Sequence, residues 1–375
     1  MIYVHIPFCR SFCLYCDFYS ETRGEQDALF PAIGREARMR ADEIRRFADP
    51  FTLYFGGGTP SLFPARSISE LSSLLLSISG REMFEEFTVE VNPDDITPEY
   101  ARALRDCGVS RVSMGVQSFD DAHLKWMGRR HDASKAVSAF VDLRRAGFDN
   151  ISIDLIFGYD PCFSAGGARS AAKSLADSWS RDLDAALRLA PEHISAYQMG
   201  IEEGSTLREM YARGLYAPPD DEVCAMQYDL LCRRLATGGY VHYEISNFSL
   251  PGKAALHNSA YWDRKPYVGL GPAAHSFNGA QRFWNVADVK AYCASGAAGA
   301  ELRGYESLSE DEIRTETIML GLRRSAGLPP DVFGKQALEA LERLEAAGSL
   351  ISDGRSVRIP EEKWFISDSI IKELI

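Results

Sequence analysis

The sequence predicts an α/β protein, an incomplete (β/α)6 barrel of the TIM type followed by a small α+β domain with a winged-helix-like pattern. Strand-like and helix-like segments alternate six times between Ile2 and Met199, as in parallel sheets with right-handed crossovers. Residues able to support chemistry follow the ends of these strands, as they do in barrels. No G-x-G-x-x-G motif opens a helix, so a dinucleotide-binding fold is the weaker choice.

The six predicted strands are short and mostly apolar, which is typical of strands buried on both faces of a parallel sheet. They span residues 2–6, 52–55, 87–91, 111–116, 150–157 and 193–199. Between them, apolar residues recur at helical spacing. The predicted helices span residues 27–47, 65–78, 97–106, 120–127, 132–146 and 179–189. Because a closed barrel has eight units, six would leave one side open to a large substrate.

We predict three domains: the partial barrel at 1–235, a barrel extension at 236–305 and a C-terminal domain at 306–375. In the last, helices at 309–324 and 335–347 precede a hairpin around Asp353-Gly354, which is the order of a winged helix. That shape often binds DNA, but acidic residues such as Glu310 and Glu312 favour a packing or lid role.

Composition excludes several classes of function. A formal net charge of −12 argues against nucleic acid or an anionic membrane surface as a partner. The apolar run 1–6 is too short for a signal peptide, and no run of about 18 apolar residues predicts membrane insertion, so we expect a cytoplasmic protein. Five cysteines occur singly, as in ordinary packing rather than a disulfide framework. They are Cys107, Cys162, Cys224, Cys232 and Cys293.

The other three cysteines, Cys9, Cys13 and Cys16, form the pattern C-x3-C-x2-C directly after the first strand. Thiolates are soft ligands that suit zinc, copper(I) and iron–sulfur clusters. A structural zinc site is closed by four protein ligands, whereas three thiolates leave one position open. The spacing therefore predicts a metal centre with an open position, or a zinc site completed by a remote ligand such as His5.

Further polar and flexible residues follow the next strands. Gly56 to Pro60 reads Gly-Gly-Gly-Thr-Pro, which lets backbone approach a ligand closely. Glu90, Gln117 and Asp154 are predicted at or just beyond the carboxyl ends of strands three to five, where they could accept hydrogen bonds from an amine or from ribose hydroxyls. If the thiolates hold a [4Fe–4S] cluster, its free iron could chelate an amine and a carboxylate. S-adenosylmethionine (SAM) meets all of these requirements.

A second candidate site lies far along the chain. Residues 257–262 read His-Asn-Ser-Ala-Tyr-Trp, and a glycine-containing loop follows that ends at His275. Two histidines, a tyrosine and a tryptophan in one turn-rich segment could form the wall of a site for a flat aromatic ligand. Ordinary packing is the alternative on these residues alone.

These motifs together resemble the radical SAM superfamily. The C-x3-C-x2-C pattern has Tyr15 before its last cysteine, and the glycine-rich segment follows the second strand. Within the superfamily the chain resembles the coproporphyrinogen III dehydrogenase-like group, through Tyr-Val-His-Ile-Pro-Phe-Cys at 3–9, Glu-Val-Asn-Pro at 90–93 and Gly-Val-Gln-Ser-Phe at 115–119. The resemblance covers nearly the whole chain, and it implies a [4Fe–4S] cluster and SAM as cofactors.

Two branches of that group differ after the third cysteine. The decarboxylating branch has a fourth cysteine where this chain has Phe18. The Cys-Asp-Phe form, with the His-Asn-x-x-Tyr-Trp motif, resembles the heme chaperone branch. That branch implies heme or another tetrapyrrole as ligand, delivery of heme to acceptor proteins, and an electron donor. The alternative is an oxygen-independent coproporphyrinogen III oxidase of porphyrin biosynthesis, so whether the chain is an enzyme stays open, and no catalytic residue is assigned.

The resemblance also implies roles for single residues. Cys9, Cys13 and Cys16 would bind the cluster. The SAM site would be lined by Tyr3, Gly57, Gly58, Thr59, Glu90, Gln117, Arg129 and Asp154. Heme would be bound by His257 together with Asn258, Tyr261 and Trp262. One departure is an insertion at about 161–178, where the group usually continues Asp-Leu-Ile-x-Gly-x-Pro-Gly-Gln, so the surroundings of Gly158 would be rebuilt.

Overall fold

The structure is a computed structural model that describes residues 1–24, 26–163, 170–295 and 303–375. Its strands are β1 Ile2–Ile6, β2 Thr52–Gly57, β3 Glu86–Val91, β4 Arg111–Gln117, β5 Ile151–Phe157, β6 His193–Gln198, β7 Val241–Glu244, β8 Asn247–Ser249, β9 Val268–Leu270, β10 His275–Phe277, β11 Gln281–Trp284, β12 Gly304–Ser307, β13 Ile351–Ser352 and β14 Val357–Arg358. Its helices are α1 Gln26–Met39, α2 Ala41–Arg46, α3 Ala65–Ser79, α4 Pro98–Asp106, α5 Asp121–Trp126, α6 Ala133–Arg145, α7 Ala172–Leu189, α8 Thr206–Ala212, α9 Asp221–Thr237, α10 Leu256–Trp262, α11 Val289–Ala294, α12 Glu310–Gly321, α13 Leu338–Ala346 and α14 Ser367–Lys372.

One large sheet has the order β7-β8-β6-β5-β4-β3-β2-β1-β9. The strands β1 to β6 pair in parallel with their chain neighbours, and β9 pairs in parallel with β1. At the other side β8 runs antiparallel to β6, and β7 antiparallel to β8. The sheet ends at two separate edges, so the prediction of an incomplete barrel is confirmed.

The hydrophobic pattern of the strands explains why this sheet is covered on its outer face. Alternate apolar residues such as Val4, Phe55 and Met114 are fully buried. They join a single core that continues through the helices to Trp364 near the end of the chain. The polar residues between them, including Glu90, face the inside of the barrel, and this alternation sets up the site.

The predicted helix at 27–47 is divided into α1 and α2 at Arg40, whose φ of −99° and ψ of 22° leave the helical range. The buried guanidinium of Arg40 donates to the carbonyl of Gly269 (2.6 Å) and to the hydroxyl of Ser276 (3.0 Å). It also pairs with the carboxylates of Glu36 and Glu43. Partners distant in sequence therefore decide where the helix breaks, which its periodicity does not reveal.

Two other differences from the predicted elements concern short or inserted segments. The strands β8 to β12 have only three or four residues each, too few for a recognisable alternation. Helix α7 begins at Ala172, earlier than the predicted residue 179, so part of the insertion at 161–178 is helical. Residues 164–169 of that insertion lie outside the described residues.

The C-terminal segment has the predicted order of two helices and a hairpin. Ser309 and Glu312 form a capping box at the start of α12, and β13 pairs with β14 as the hairpin. A 3-10 helix, Glu361–Ile366, and α14 complete the segment. The three domain boundaries stay predictions. Among the described residues, no helix has the length and apolar character needed to cross a membrane.

Candidate functional site at the barrel mouth

The cysteine loop lies at the mouth formed by the carboxyl ends of the parallel strands. Two backbone hydrogen bonds close its base, from the amide of Cys9 to the carbonyl of Glu21 (3.0 Å) and from the amide of Glu21 to the carbonyl of Pro7 (2.6 Å). Its middle is held by the amide of Leu14, which donates to the carbonyl of Met127 after α5 (3.0 Å). The backbone of the loop is thus fixed before any ligand binds.

The three thiols are partly exposed and have polar neighbours. The hydroxyl of Thr59 donates to Sγ of Cys9, and Nη1 of Arg129 donates to Sγ of Cys13, each at 3.5 Å. Burial, with a smaller contribution from the nearby Cys13 and Cys9, raises the pKa of Cys16 to about 11. A metal cation among the thiols would reverse this preference and favour thiolates. The donor set therefore fits a soft metal centre.

The spread of the thiols distinguishes a single ion from a cluster. Zn–S bonds of about 2.3 Å place tetrahedral sulfur ligands roughly 4 Å apart. Among the described residues, one group of at least three His, Cys, Asp or Glu side chains has all its ligand atoms within 4.8 Å of one another. Cys9, Cys13 and Cys16 do not belong to that group. The three thiols are therefore spread more widely than the sulfur ligands of one tetrahedral zinc ion.

The glycine segment at the end of β2 makes close backbone contacts. Gly57 has a φ of 107°, and a Cβ there would lie 2.5 Å from the ring of His5. A Cβ on Gly58 would lie 2.7 Å from the carbonyl oxygen of Phe8, beside the cysteine loop. Only glycine allows the end of β2 to approach β1 and the loop so closely.

Glu90 closes this segment from the neighbouring strand. Its carboxylate accepts hydrogen bonds from the amide of Gly57 (3.1 Å) and from the hydroxyl of Tyr54 (2.7 Å). Burial raises the pKa of Glu90 to about 7, the hydrogen bond from Tyr54 lowers it, and the negative charge of Asp154 raises it. Glu90 therefore changes its charge near neutral pH.

Gln117, on the strand paired with β3, and Arg129, after α5, lie beside Glu90 at the mouth. A bulge in β4 gives Gln117 a φ of 69° and turns its side chain toward Gly115, where a Cβ would lie 2.8 Å from Nε2 of Gln117 and 3.4 Å from Nη2 of Arg129. Nη2 of Arg129 donates to Asn92 Oδ1 (2.6 Å) and to the carbonyl of Gly115 (2.7 Å). Since Arg129 also contacts Cys13, the structure brings these predicted residues to one mouth.

Tyr3 and Asp154 lie deeper than the rim. The prediction that Asp154 lies at or just beyond the end of its strand is wrong, because β5 stays paired with β6 as far as Phe157 and Asp154 is in its middle. The hydroxyl of Ser113 donates to Oδ1 of Asp154 at 3.3 Å, and burial raises the pKa of Asp154. Tyr3 is the second residue of β1, and its hydroxyl is 2.9 Å from Nδ1 of His5. Both side chains could meet only the part of a ligand that extends into the barrel.

The predicted heme segment is at the other end of the barrel. It forms α10, whose first two amides donate to the carboxylate of Glu86, the first residue of β3 (2.9 and 3.0 Å). His257 is buried, with Nδ1 2.8 Å from the hydroxyl of Thr52, the first residue of β2. Its Nε2 is 3.1 Å from the hydroxyl of Tyr261, and burial lowers the pKa of His257 well below its usual value.

The structure thus separates the two predicted sites along the barrel axis. The remaining residues of the predicted heme motif, Asn258, Tyr261 and Trp262, are half-buried. Tyr54, which the sequence analysis did not single out, lies between the two ends. Its hydroxyl donates to Glu90, and its ring centroid is 5.1 Å from that of His257. The one signal for Tyr54 is its position in β2, two residues before the first glycine of the glycine segment.

Comparisons with known proteins place the chain among radical SAM proteins. A family model of the radical SAM superfamily matches residues 3–161. The heme chaperone HemW of Mycobacterium tuberculosis is 32% identical over 100% of this chain and 94% of that protein. HemW of Lactococcus lactis is 35% identical over 91% of this chain and 86% of that protein. Coproporphyrinogen III oxidase (HemN) from Escherichia coli, a radical SAM enzyme, has a TM-score of 0.79 at 21% identity, covering 100% of this chain and 89% of that one, so the likeness concerns the fold.

Proposed function

The chain belongs to the HemW family of the radical SAM superfamily, and on that premise we propose that it is a heme chaperone. It binds heme, a [4Fe–4S] cluster and SAM, and it delivers heme to acceptor proteins. The observation that supports this most strongly is the full-length similarity to HemW proteins at 32% and 35% identity. The barrel alone does not decide the function, because coproporphyrinogen III oxidase has the same fold.

At the mouth, Cys9, Cys13 and Cys16 would hold the cluster, which when bound supplies an open iron position and single electrons from an electron donor. The residues around it would hold SAM. Glu90, whose carboxylate faces the glycine segment, would accept hydrogen bonds from an amine or ribose. Gly57 and Gly58 provide room for close approach, and Thr59 and Arg129 hold two of the thiols in place. Gln117, Tyr3 and Asp154 would line the rest of the site.

Heme binding at His257 would require a change in the contacts of α10. Both ring nitrogens of His257 have protein partners, so binding iron through Nε2 requires that the hydroxyl of Tyr261 releases it. The half-buried Trp262, Tyr261 and Asn258 would then line the porphyrin. We propose that heme binds at the amino end of the barrel, where α10 moves to admit it.

A pair of histidine variants tests this assignment. We expect His257→Ala to lower heme uptake by about tenfold or more, since it removes the proposed iron ligand. The matched control is His193→Ala, because His193 is also a buried histidine with a hydroxyl beside each ring nitrogen, those of Ser152 and Tyr243 at 2.8 and 2.7 Å. Heme titration followed by absorbance measures both, with iron and sulfide analysis as a check on the cluster.

The comparison of the two variants separates binding from structure. A loss in His257→Ala alone, with the cluster retained, supports the assigned heme ligand. Equal losses in both variants, or unchanged uptake in His257→Ala, would remove His257 from the heme site. The SAM and cluster part of the proposal would stand in either case.

A further inference from the structure

A second group of potential metal ligands lies away from the barrel mouth. Cys232 near the end of α9, His242 in β7 and Glu361 at the start of the 3-10 helix come together, with their ligand atoms all within 4.8 Å of one another. Nδ1 of His242 is 2.9 Å from Oε1 of Glu361 and 3.9 Å from Sγ of Cys232. These residues belong to three elements of the chain and come from neither motif that defines the family.

The two ring nitrogens of His242 face different neighbours, and Nδ1 is the one that faces Cys232 and Glu361. Nε2 lies 3.3 Å from the backbone carbonyl of Ile245, which could accept a hydrogen from it, and 3.5 Å from the hydroxyl of Tyr228. In the tautomer with its hydrogen on Nε2, Nδ1 presents a lone pair towards a carboxylate oxygen of Glu361 that lies 2.9 Å away. Two facing acceptors require a cation or a proton between them.

The surroundings match those of metal-binding histidines. Such residues commonly donate their other ring N–H to a backbone carbonyl, which fixes the tautomer and the ring orientation. Two aromatic rings also hold the ring of His242. Phe248 stacks on it with the ring centroids 3.9 Å apart, and Trp364 makes an edge contact with the ring centroids 4.3 Å apart. His242 is 3% exposed and Glu361 49% exposed, so the ligand atoms have a rigid inner wall and an open outer side.

We propose that Cys232, His242 and Glu361 bind a divalent zinc ion that joins the C-terminal segment to the barrel. One thiolate, one imidazole and one carboxylate are a ligand set that zinc accepts, and water from the exposed side completes a tetrahedron. The ion would lie between Nδ1 of His242 and the carboxylate of Glu361 in the tautomer with its hydrogen on Nε2. It also links α9 and β7 to the helix containing Trp364, which belongs to the common core. This proposal is independent of the proposed function.

Cobalt substitution tests the site, because cobalt bound to a thiolate has a charge-transfer absorption that reports the sulfur ligand. We would titrate Co²⁺ into the full chain carrying Cys9→Ser, Cys13→Ser and Cys16→Ser, which removes the thiols of the mouth. We expect one equivalent to bind with thiolate absorption. Adding Cys232→Ser should abolish that absorption, whereas Cys224→Ser, a buried cysteine of the same helix, should leave it unchanged.

Two further measurements distinguish metal binding from a loss of folding. Glu361→Gln, a change at a half-exposed side chain, should weaken cobalt binding by roughly tenfold without affecting the fold. If the triple variant does not fold, zinc analysis of the wild-type chain with its cluster reconstituted replaces it, with zinc expected in wild type and Cys224→Ser but absent in Cys232→Ser. Equal zinc content in Cys224→Ser and Cys232→Ser would overturn the proposal. So would the absence of thiolate absorption from a folded triple variant, and His242 and Glu361 would then be a pair without a metal ion.

Discussion

Glu90 lies one residue before the end of β3, where its carboxylate holds the amide of Gly57 and the hydroxyl of Tyr54. Its environment explains its protonation. Burial removes solvation from the ionised form, so the pKa of Glu90 rises from 4.5 to about 7. A carboxyl whose pKa is higher in the folded state binds more protons there than in the unfolded chain. Its contribution to stability is therefore present at low pH and falls as the pH rises through that interval.

Replacing Glu90 by Gln should remove this part of the pH dependence. Gln still offers an oxygen to the Gly57 amide, and its NH2 can donate to Tyr54. We expect the loss of stability between pH 4.5 and 7 to shrink by roughly 1 to 2 kcal/mol, since one pKa unit is worth about 1.4 kcal/mol and relaxation reduces the full value. Chemical unfolding at several pH values measures it, with the exposed Glu82→Gln as control. An unchanged pH profile in Glu90→Gln would contradict the assigned burial.

Single residues differ in how far the sequence could predict them. The spacing of Cys9, Cys13 and Cys16 is local, so the sequence alone reveals it. Glu90 can likewise be recognised in the sequence as a polar residue at the end of a predicted strand. Tyr54 was not, because its contact with Glu90 depends on the register of β2 and β3. The neighbourhood of His242 and Glu361 was also hidden, since 119 positions separate them.

At the scale of elements, the glycine segment after β2 joins the sheet to the cysteine loop. The amide of Gly58 donates to the carbonyl of Ile6 at 2.8 Å, so β1 and β2 stay paired up to the loop. The missing side chains of Gly57 and Gly58 make this approach possible. Whatever disturbs the segment should therefore disturb both the thiols and the residues proposed for SAM.

Two glycine variants separate steric conflict from backbone strain. Gly57 and Gly80 both have positive φ, 107° and 70°, but a Cβ on Gly80 meets nothing within 4 Å. We expect Gly80→Ala to cost about 1 kcal/mol of stability from backbone strain alone. Gly57→Ala should cost about 3 kcal/mol, because its Cβ also collides with His5, and should lower SAM affinity roughly tenfold.

Chemical unfolding and SAM binding to the anaerobically reconstituted protein would measure these effects. Gly80→Ala serves as the control, since Gly80 ends α3 at the amino end of the next strand, away from the thiols. Equal costs in the two variants, with unchanged SAM affinity in Gly57→Ala, would show that the segment does not shape the site.

The order of elements was largely predictable because strand and helix patterns are local properties of the sequence. The six parallel strands and the terminal helix-helix-hairpin order are confirmed. The division of the first helix at Arg40 was not predictable, because the Gly269 and Ser276 atoms that bind its guanidinium lie more than two hundred positions away in the chain. The same holds for α10, whose position under the barrel depends on Glu86 and Thr52.

At the scale of the whole molecule, the predicted SAM and heme residues occupy opposite ends of one barrel. Glu90, Tyr54 and His257 form a continuous series of contacts between them. The sequence identified both groups by their motifs but could not give their separation, because the end of the barrel that α10 covers is a property of the folded sheet. A heme chaperone with this arrangement would bind its ligand and its cluster at separate places.

We propose above all that this protein binds heme rather than decarboxylating coproporphyrinogen III. The most direct test gives the anaerobically reconstituted chain, with SAM and a reductant, either heme or coproporphyrinogen III, with the E. coli oxidase as the positive control for the second assay. We predict stable heme uptake and no protoporphyrinogen IX. Formation of protoporphyrinogen IX by a preparation that takes up no heme would show that the protein is a decarboxylating oxidase and not a heme chaperone.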